Sequence, residues 1–179
     1  MPSYLLDANV FVCFQNAGRL EALVAAAAVV SMAMVAEVHA ELTLPRPGRP
    51  VTSALREAAR VLDGKAIPIR EILLGTPEEA IQTALVQGKA RGRGEAASTA
   101  LAMSRPELIF VTEDIGAARR AYRELPAEMG RVMGLHAFVR WLVEQGALTA
   151  AMSIEVANAA KSASNIEPPL WWSVWTSTQ

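Results

Sequence analysis

Two short apolar segments each run straight into carboxylates: "YLL" into Asp7, and "LIFVT" into Glu113 and Asp114. No other feature narrows the possible folds as much. Continuous apolar runs of this length, bounded by polar residues, read as strands buried on both faces, the habit of parallel sheets. Parallel strands need long crossovers, and the sequence between them carries helical patterns. Gly18–Ala28, Met34–Leu44 and Val51–Leu62 read as helices, as do the segments that follow Gly75, Gly94 and Asp114 and a final pair either side of Gly146. Thr76 and Glu79 form the capping box of the helix that ends at Gly88. Val29 and Val30 read as a short second strand and "RVMG" as an edge strand, while three prolines make Pro45–Pro50 a loop. The pattern predicts an α/β protein: a three-layer α/β/α sandwich around a mostly parallel central sheet. Residues 1–146 form the expected domain, and 147–179 a C-terminal helix and a non-helical, Trp-rich tail packed on the domain or on a partner.

The size suits one domain, and 52% apolar residues, many of them alanine, suit closely packed helices. The single cysteine, Cys13, lies in an apolar run and reads as a small core residue in a reducing compartment. The longest apolar run, Ala22–Ala36, falls short of the ~20 residues of a membrane span. No Lys or Arg precedes the first apolar run and Asp7 interrupts it, so a cytoplasmic location is expected.

In such sheets, ligands bind beyond the C-terminal ends of the strands, where Asp7 and Asp114 both fall. Two further acids sit in settings that need explaining. Glu95 opens the helix "GEAASTALAMS", where it also suits the helix dipole, and Glu37 lies in the apolar stretch "MAMVAEVHAEL". Glu41 competes for the same role, and Glu37 is preferred because Glu41 is nearer the proline-rich loop. Crowded carboxylates raise one another's pKa unless a cation screens them. With neither His nor Cys beside these acids in sequence, an all-oxygen site is expected, which selects Mg²⁺ or Mn²⁺ over Zn²⁺. Such a site suits phosphodiester hydrolysis by a metal-activated water.

The segments "LLDANVFV", "MVAEVHAEL", "GRGEAASTALA" and "FVTEDIGAARR", in this order, resemble the PIN domain, whose members include the VapC-like toxin ribonucleases of toxin–antitoxin pairs. The resemblance covers about Pro2 to Gly146. It implies a metal-dependent endoribonuclease acting on single-stranded RNA. It matches Asp7, Glu37, Glu95 and Asp114 to the four acids, Asn9 to a residue bracing the first, and Thr112 to the hydroxyl before the last. It also implies an antitoxin partner and a homodimer. Ala8 stands where the family often has Thr or Ser, and Glu113 adds an acid that is either a fifth ligand or an outward-facing neighbour.

The formal net charge is −1, but setting four acids aside as ligands leaves the rest of the chain positive. Lys89, Arg91 and Arg93 precede Glu95, and Arg119, Arg120 and Arg123 follow Asp114; both clusters suit an RNA backbone. The plain alternative is a solvated helix face, with Arg120 paired to Glu124. His39 and His136 read as structural, and the Trp residues of the tail as packing groups before stacking platforms. The competing functional reading is a catalytically silent PIN-like module that binds RNA or protein.

Overall fold

A computed structural model describes residues 2–44, 62, 67–88, 92–125, 130–164 and 168–178. In it "YLL" lies within β1 (Ser3–Leu6) and "LIFVT" is β4 (Leu108–Thr112), paired in parallel with Leu6 opposite Val111. β2 (Met32–Val35) flanks β1 on the other side, with the two-residue β3 (Ile69–Arg70) at that edge; β5 (Val132–Gly134) flanks β4. The result is a five-stranded, all-parallel sheet of order β3-β2-β1-β4-β5. Every residue of β2 is buried, and Leu5, Leu6, Phe110 and Val111 have no exposed surface. Burial on both faces is why these strands read as unbroken apolar runs.

α1 (Ala8–Asn16) and α2 (Leu20–Ala26) connect β1 to β2, and α3 (Ala36–Thr43) leaves β2. α4 (Pro77–Gly88) and α5 (Arg93–Ser104) precede β4, and α6 (Ile115–Glu124) joins it to β5. α7 (Leu135–Glu144), α8 (Ala150–Ser164) and α9 (Leu170–Thr176) complete the described helices. α1 and α7 pack on α8 in one layer; α3, α4 and α6 pack on α5 in the other, so the protein is a three-layer α/β/α sandwich. Phe11, Phe14, Phe110 and Phe138 are fully buried in its core, each contributing about 2–3 kcal/mol by leaving water. The Thr76 hydroxyl accepts the Glu79 amide, and Glu79 in turn accepts the Gly75 amide, fixing the start of α4. Among the described residues no helix is long and apolar enough to cross a membrane.

Three expectations need correction. The second strand is Met32–Val35, not Val29–Val30, and Val29 is 68% exposed. The helix expected from Met34 therefore begins at Ala36. An alanine-rich run carries no periodicity to divide helix from strand. The tail is helical at α9, which starts after Pro169 and buries Trp172 against the domain. The Pro45–Pro50 loop and the Val51–Leu62 helix lie outside the described residues, except for Leu62, which is helical and buried.

Candidate acidic site at the C-terminal end of the sheet

The register of β1 against β4 carries one step past Leu6–Val111 and sets Asp7 beside Thr112. The Asp7 amide donates to the Val111 carbonyl, 3.0 Å. Its carboxylate caps α1, accepting from the Ala8 amide (2.8 Å), and accepts from the Thr112 hydroxyl (2.7 Å). Asp7 is 7% exposed, and its pKa is raised to about 6. Burial is the main cause; the charges of Glu41 and Asp114 add to it, while the two hydrogen bonds oppose it. Asn9 is exposed, and among the described residues no hydrogen bond joins it to Asp7, so Thr112 and the Ala8 amide do the bracing expected of it.

Thr112 also links the two aspartates, since its hydroxyl accepts the Asp114 amide at 3.2 Å. Asp114 caps α6, its Oδ1 accepting from the amides of Gly116 (2.6 Å) and Ala117 (3.1 Å). A Cβ at Gly116 would stand 2.9 Å from that Oδ1 and 3.1 Å from an Arg120 nitrogen, so a larger residue there would press on both side chains.

Glu37 and Glu41 lie one turn apart on α3 and part ways. Glu37 accepts from the Gln82 side chain on α4 at 2.5 Å, and its other oxygen is buried without a hydrogen bond. With Gln82 and Arg93 it lines a cleft of about 420 Å³. Glu41 is the α3 acid whose charge acts on Asp7, and it accepts from the Gly94 amide at 3.3 Å. Of the two α3 acids, Glu41 is thus the one whose charge reaches Asp7, while Glu37, the one preferred from the sequence, meets Gln82. Gly94 permits this approach, because a Cβ there would come within 2.9 Å of Val38 and 3.0 Å of Glu41.

Glu95, in the first turn of α5, is 7% exposed and forms a bidentate pair with Arg120 of α6, both contacts 2.7 Å. Arg120 therefore turns into the acidic site rather than outward toward a phosphate backbone. Hydrogen bonding to Glu95, then the charges of Glu95 and Asp114, favour its charged form. Arg93, at the start of α5, and Arg119 and Arg123, along α6, are exposed; Lys89 and Arg91 lie outside the described residues.

The donor chemistry fits a hard divalent cation: the acids are all oxygen, and the two charges acting on Asp7 are both negative. Among the described residues no three Asp, Glu, His or Cys side chains form a group that could hold a metal ion. The Arg120 cation instead meets part of the charge through Glu95.

Two residues given little weight in the sequence stand next to Asp114. Glu113 is buried, not outward-facing. Burial raises its pKa to about 7, against a hydrogen bond from the Leu135 amide that lowers it. His136, also buried, has its Nδ1 4.0 Å from Glu113, and desolvation lowers its pKa. The only sequence hint is the doubled acid of "TED". Trp172 meets His136 edge-on at 5.0 Å and Trp175 at 5.0 Å, so the tail packs on its own domain. Cys13 is a core thiol, its pKa pushed up to about 12 by burial and then by the charge of Glu113. No protein-family model, no curated protein and no solved structure matches this chain.

Proposed function

We propose that this protein is a Mg²⁺- or Mn²⁺-dependent endoribonuclease that cuts single-stranded RNA, and that it is the toxin of a toxin–antitoxin pair, as the PIN-domain resemblance implies. One observation carries the reading. A buried carboxylate, Asp7, stands at the C-terminal end of a parallel sheet under the influence of two further acids, Glu41 and Asp114. A fold pays with stability for burying a carboxylate beside other acids, and a bound cation is one reason to keep it there. Asp7, Glu41 and Asp114, with Glu95 beside them, are the acids such an ion would have to draw together, since among the described residues they form no ready-made metal site. When bound, a divalent ion lowers the pKa of a coordinated water and offsets charge developing on the phosphate. The chain's own part is positional. The Thr112 hydroxyl fixes Asp7 and receives the Asp114 amide, so one side chain sets the spacing of two acids. The exposed Arg93, Arg119 and Arg123 supply contacts to the RNA backbone.

The bidentate Arg120–Glu95 pair favours a second reading, in which an internal cation replaces the metal and the protein binds RNA without cutting it. Cleavage of a single-stranded RNA pool in Mn²⁺ separates the two. The nuclease reading expects the wild type to cut and Asp114→Asn, purified alike, to lose nearly all activity while still binding RNA. Equal cutting by both proteins assigns the activity elsewhere. RNA binding by the wild type without cutting, in either metal, establishes the second reading.

A further inference from the structure

α6 leaves the acidic site with Asp114 as its N-cap, and its outward face carries two arginines around an aromatic ring. Ile115, Arg119, Tyr122 and Arg123 recur at i, i+4, i+7 and i+8, the spacing of one helix face, while Ala117 and Ala121 are buried on the opposite one. Ile115 and Tyr122 are 49% and 47% exposed, and both arginines are exposed. Arg119 and Arg123 stand one turn apart, where like charges repel and weaken a helix. Among the described residues neither forms an ion pair with an acid. Arg123, in the last turn, suits the helix dipole, but Arg119 lies a turn too early for that. Tyr122 is not a loose surface ring. Its hydroxyl donates to the Val132 carbonyl of β5 at 3.1 Å, which holds the ring at its tip while nearly half of the residue stays open to solvent.

We infer that this face is the track along which a single RNA strand leaves the acidic site, with its phosphates on Arg119 and Arg123 and one base stacked on Tyr122. The inference rests on the proposed nuclease reading for its choice of polyanion, and on the α6 face for its path. Two unpaired cations a turn apart, about 6 Å along the axis, suit a polymer with repeating charges better than one carboxylate. A ring already fixed at its tip loses little freedom when a base stacks on it, and every unpaired base has a face to offer. A duplex keeps its base faces stacked on one another and presents none to a ring at its side. The distance fits as well. Tyr122 lies about 12 Å of helix beyond Asp114, roughly three to four nucleotides at the ~3.4 Å spacing of a stacked strand.

The probe is a fluorescein-labelled oligouridylate of about twelve nucleotides, followed by anisotropy in EDTA between about 50 and 200 mM KCl. The double variant Arg119→Ala/Arg123→Ala should flatten the plot of log affinity against log salt by ~1.4, at ~0.7 for each lost phosphate contact. Tyr122→Ala should weaken binding at least ~5-fold and leave that slope unchanged, the mark of a lost stacking partner rather than a lost charge. Tyr122→Phe keeps the ring and should keep most of the affinity. Thermal melts show that each variant is folded. If Tyr122→Ala is not, photo-cross-linking of a 5-bromouridine oligonucleotide to the wild type decides, and the cross-link should map to Tyr122. Unchanged affinity in Tyr122→Ala, an unchanged slope in the arginine variant, cross-links that miss Tyr122, or no binding by the wild type up to ~100 µM at the lowest salt each overturn the track. Cleavage in Mn²⁺ separates this inference from the reading beneath it. If the wild type cuts, and Tyr122→Ala and the arginine variant bind RNA as it does, the track is wrong and the nuclease stands. If binding depends on all three residues and RNA is never cut, the track stands and the nuclease falls.

Discussion

Replacing Asp7 by Asn should stabilise the protein at pH 8 and destabilise it at pH 4. Asp7 titrates near 3.8 when the chain is unfolded and near 6 when it is folded. Above pH 6 the carboxylate is charged in both states, and the folded state bears the whole cost of keeping it so. A shift of this size corresponds to about 3 kcal/mol. As pH falls through 6, the folded protein takes up a proton that the unfolded chain still lacks, so this group makes the wild type more stable. Below about pH 3 both states are protonated and the effect is spent. Asn has no such slope. It keeps the cap on α1, where Asn and Asp serve equally well, but its amide cannot accept from both the Ala8 amide and the Thr112 hydroxyl. The lost hydrogen bond costs about 1 kcal/mol at every pH.

The balance is a gain of about 2 kcal/mol at pH 8, falling to a loss of about 0.5 kcal/mol at pH 4, with the two proteins crossing near pH 4.5. At this chain length the pH 8 gain amounts to roughly 4–8 °C in melting temperature. Urea unfolding followed by circular dichroism, in EDTA at pH 8, 6, 5 and 4, gives the difference at each pH. Other titrating groups are common to both proteins and drop out of the subtraction. The chelator matters, because any ion bound by the wild type would stabilise it and mask the effect. A difference that stays constant across this range, or a loss above 1 kcal/mol at pH 8, refutes the argument. Asp7 would then be a structural hydrogen-bonding residue in a site with no excess of charge.

Gly94→Ala should cost about 1–3 kcal/mol, because its Cβ would overlap Val38 and Glu41; chemical denaturation measures this, and a neutral change means α5 can move off α3 freely. Arg120→Ala should lower stability by about 1–3 kcal/mol in EDTA by leaving Glu95 buried without its guanidinium, and should tighten Mn²⁺ binding, read by calorimetry. Unchanged or weaker Mn²⁺ binding would show that Arg120 does not compete with the ion. Thr112→Val should loosen both aspartates, costing about 1–2 kcal/mol and most of the cleavage while sparing RNA binding; full activity would separate Thr112 from the site.

The sheet is legible in the sequence because its strands are buried on both faces, which leaves "YLL" and "LIFV" as apolar runs between polar residues. Asp7 and Asp114 are legible for the same reason, since each follows such a run. The choice between Glu37 and Glu41 is not. The two lie a turn apart on one helix, and what separates them is the close approach of α5 at Gly94, a tertiary contact. Proximity to the proline-rich loop says nothing about that approach. β3 escapes notice because two exposed residues carry no strand pattern. α9 escapes it because a run of tryptophans after two prolines has no polar face to set a period. The pairing of Arg120 with Glu95, 25 residues apart, depends on how α5 and α6 pack, and a count of positive charges places that arginine with the RNA contacts instead.

Arg120 is also where the two functional readings part. A carboxylate as buried as Glu95 needs a cation, and a guanidinium and a divalent ion are alternative ways of supplying one. The guanidinium reaches both oxygens of Glu95 from a helix whose own N-cap is Asp114, so the internal cation is tethered to the acid it would have to share with a metal. An arginine with 32% of its side chain exposed has a route back to solvent. A metal that takes up both oxygens of Glu95 would displace Arg120, and the displaced guanidinium would lie within a helix turn of the exposed Arg119 and Arg123. Metal binding would in that way add a third positive charge to the surface facing the RNA backbone. If Arg120 stays on Glu95, the acids are balanced from within, and the basic surface is smaller by one. The need to compensate buried charge in this small site thus couples the two questions: what neutralises the acids, and how strongly the protein holds a nucleic acid.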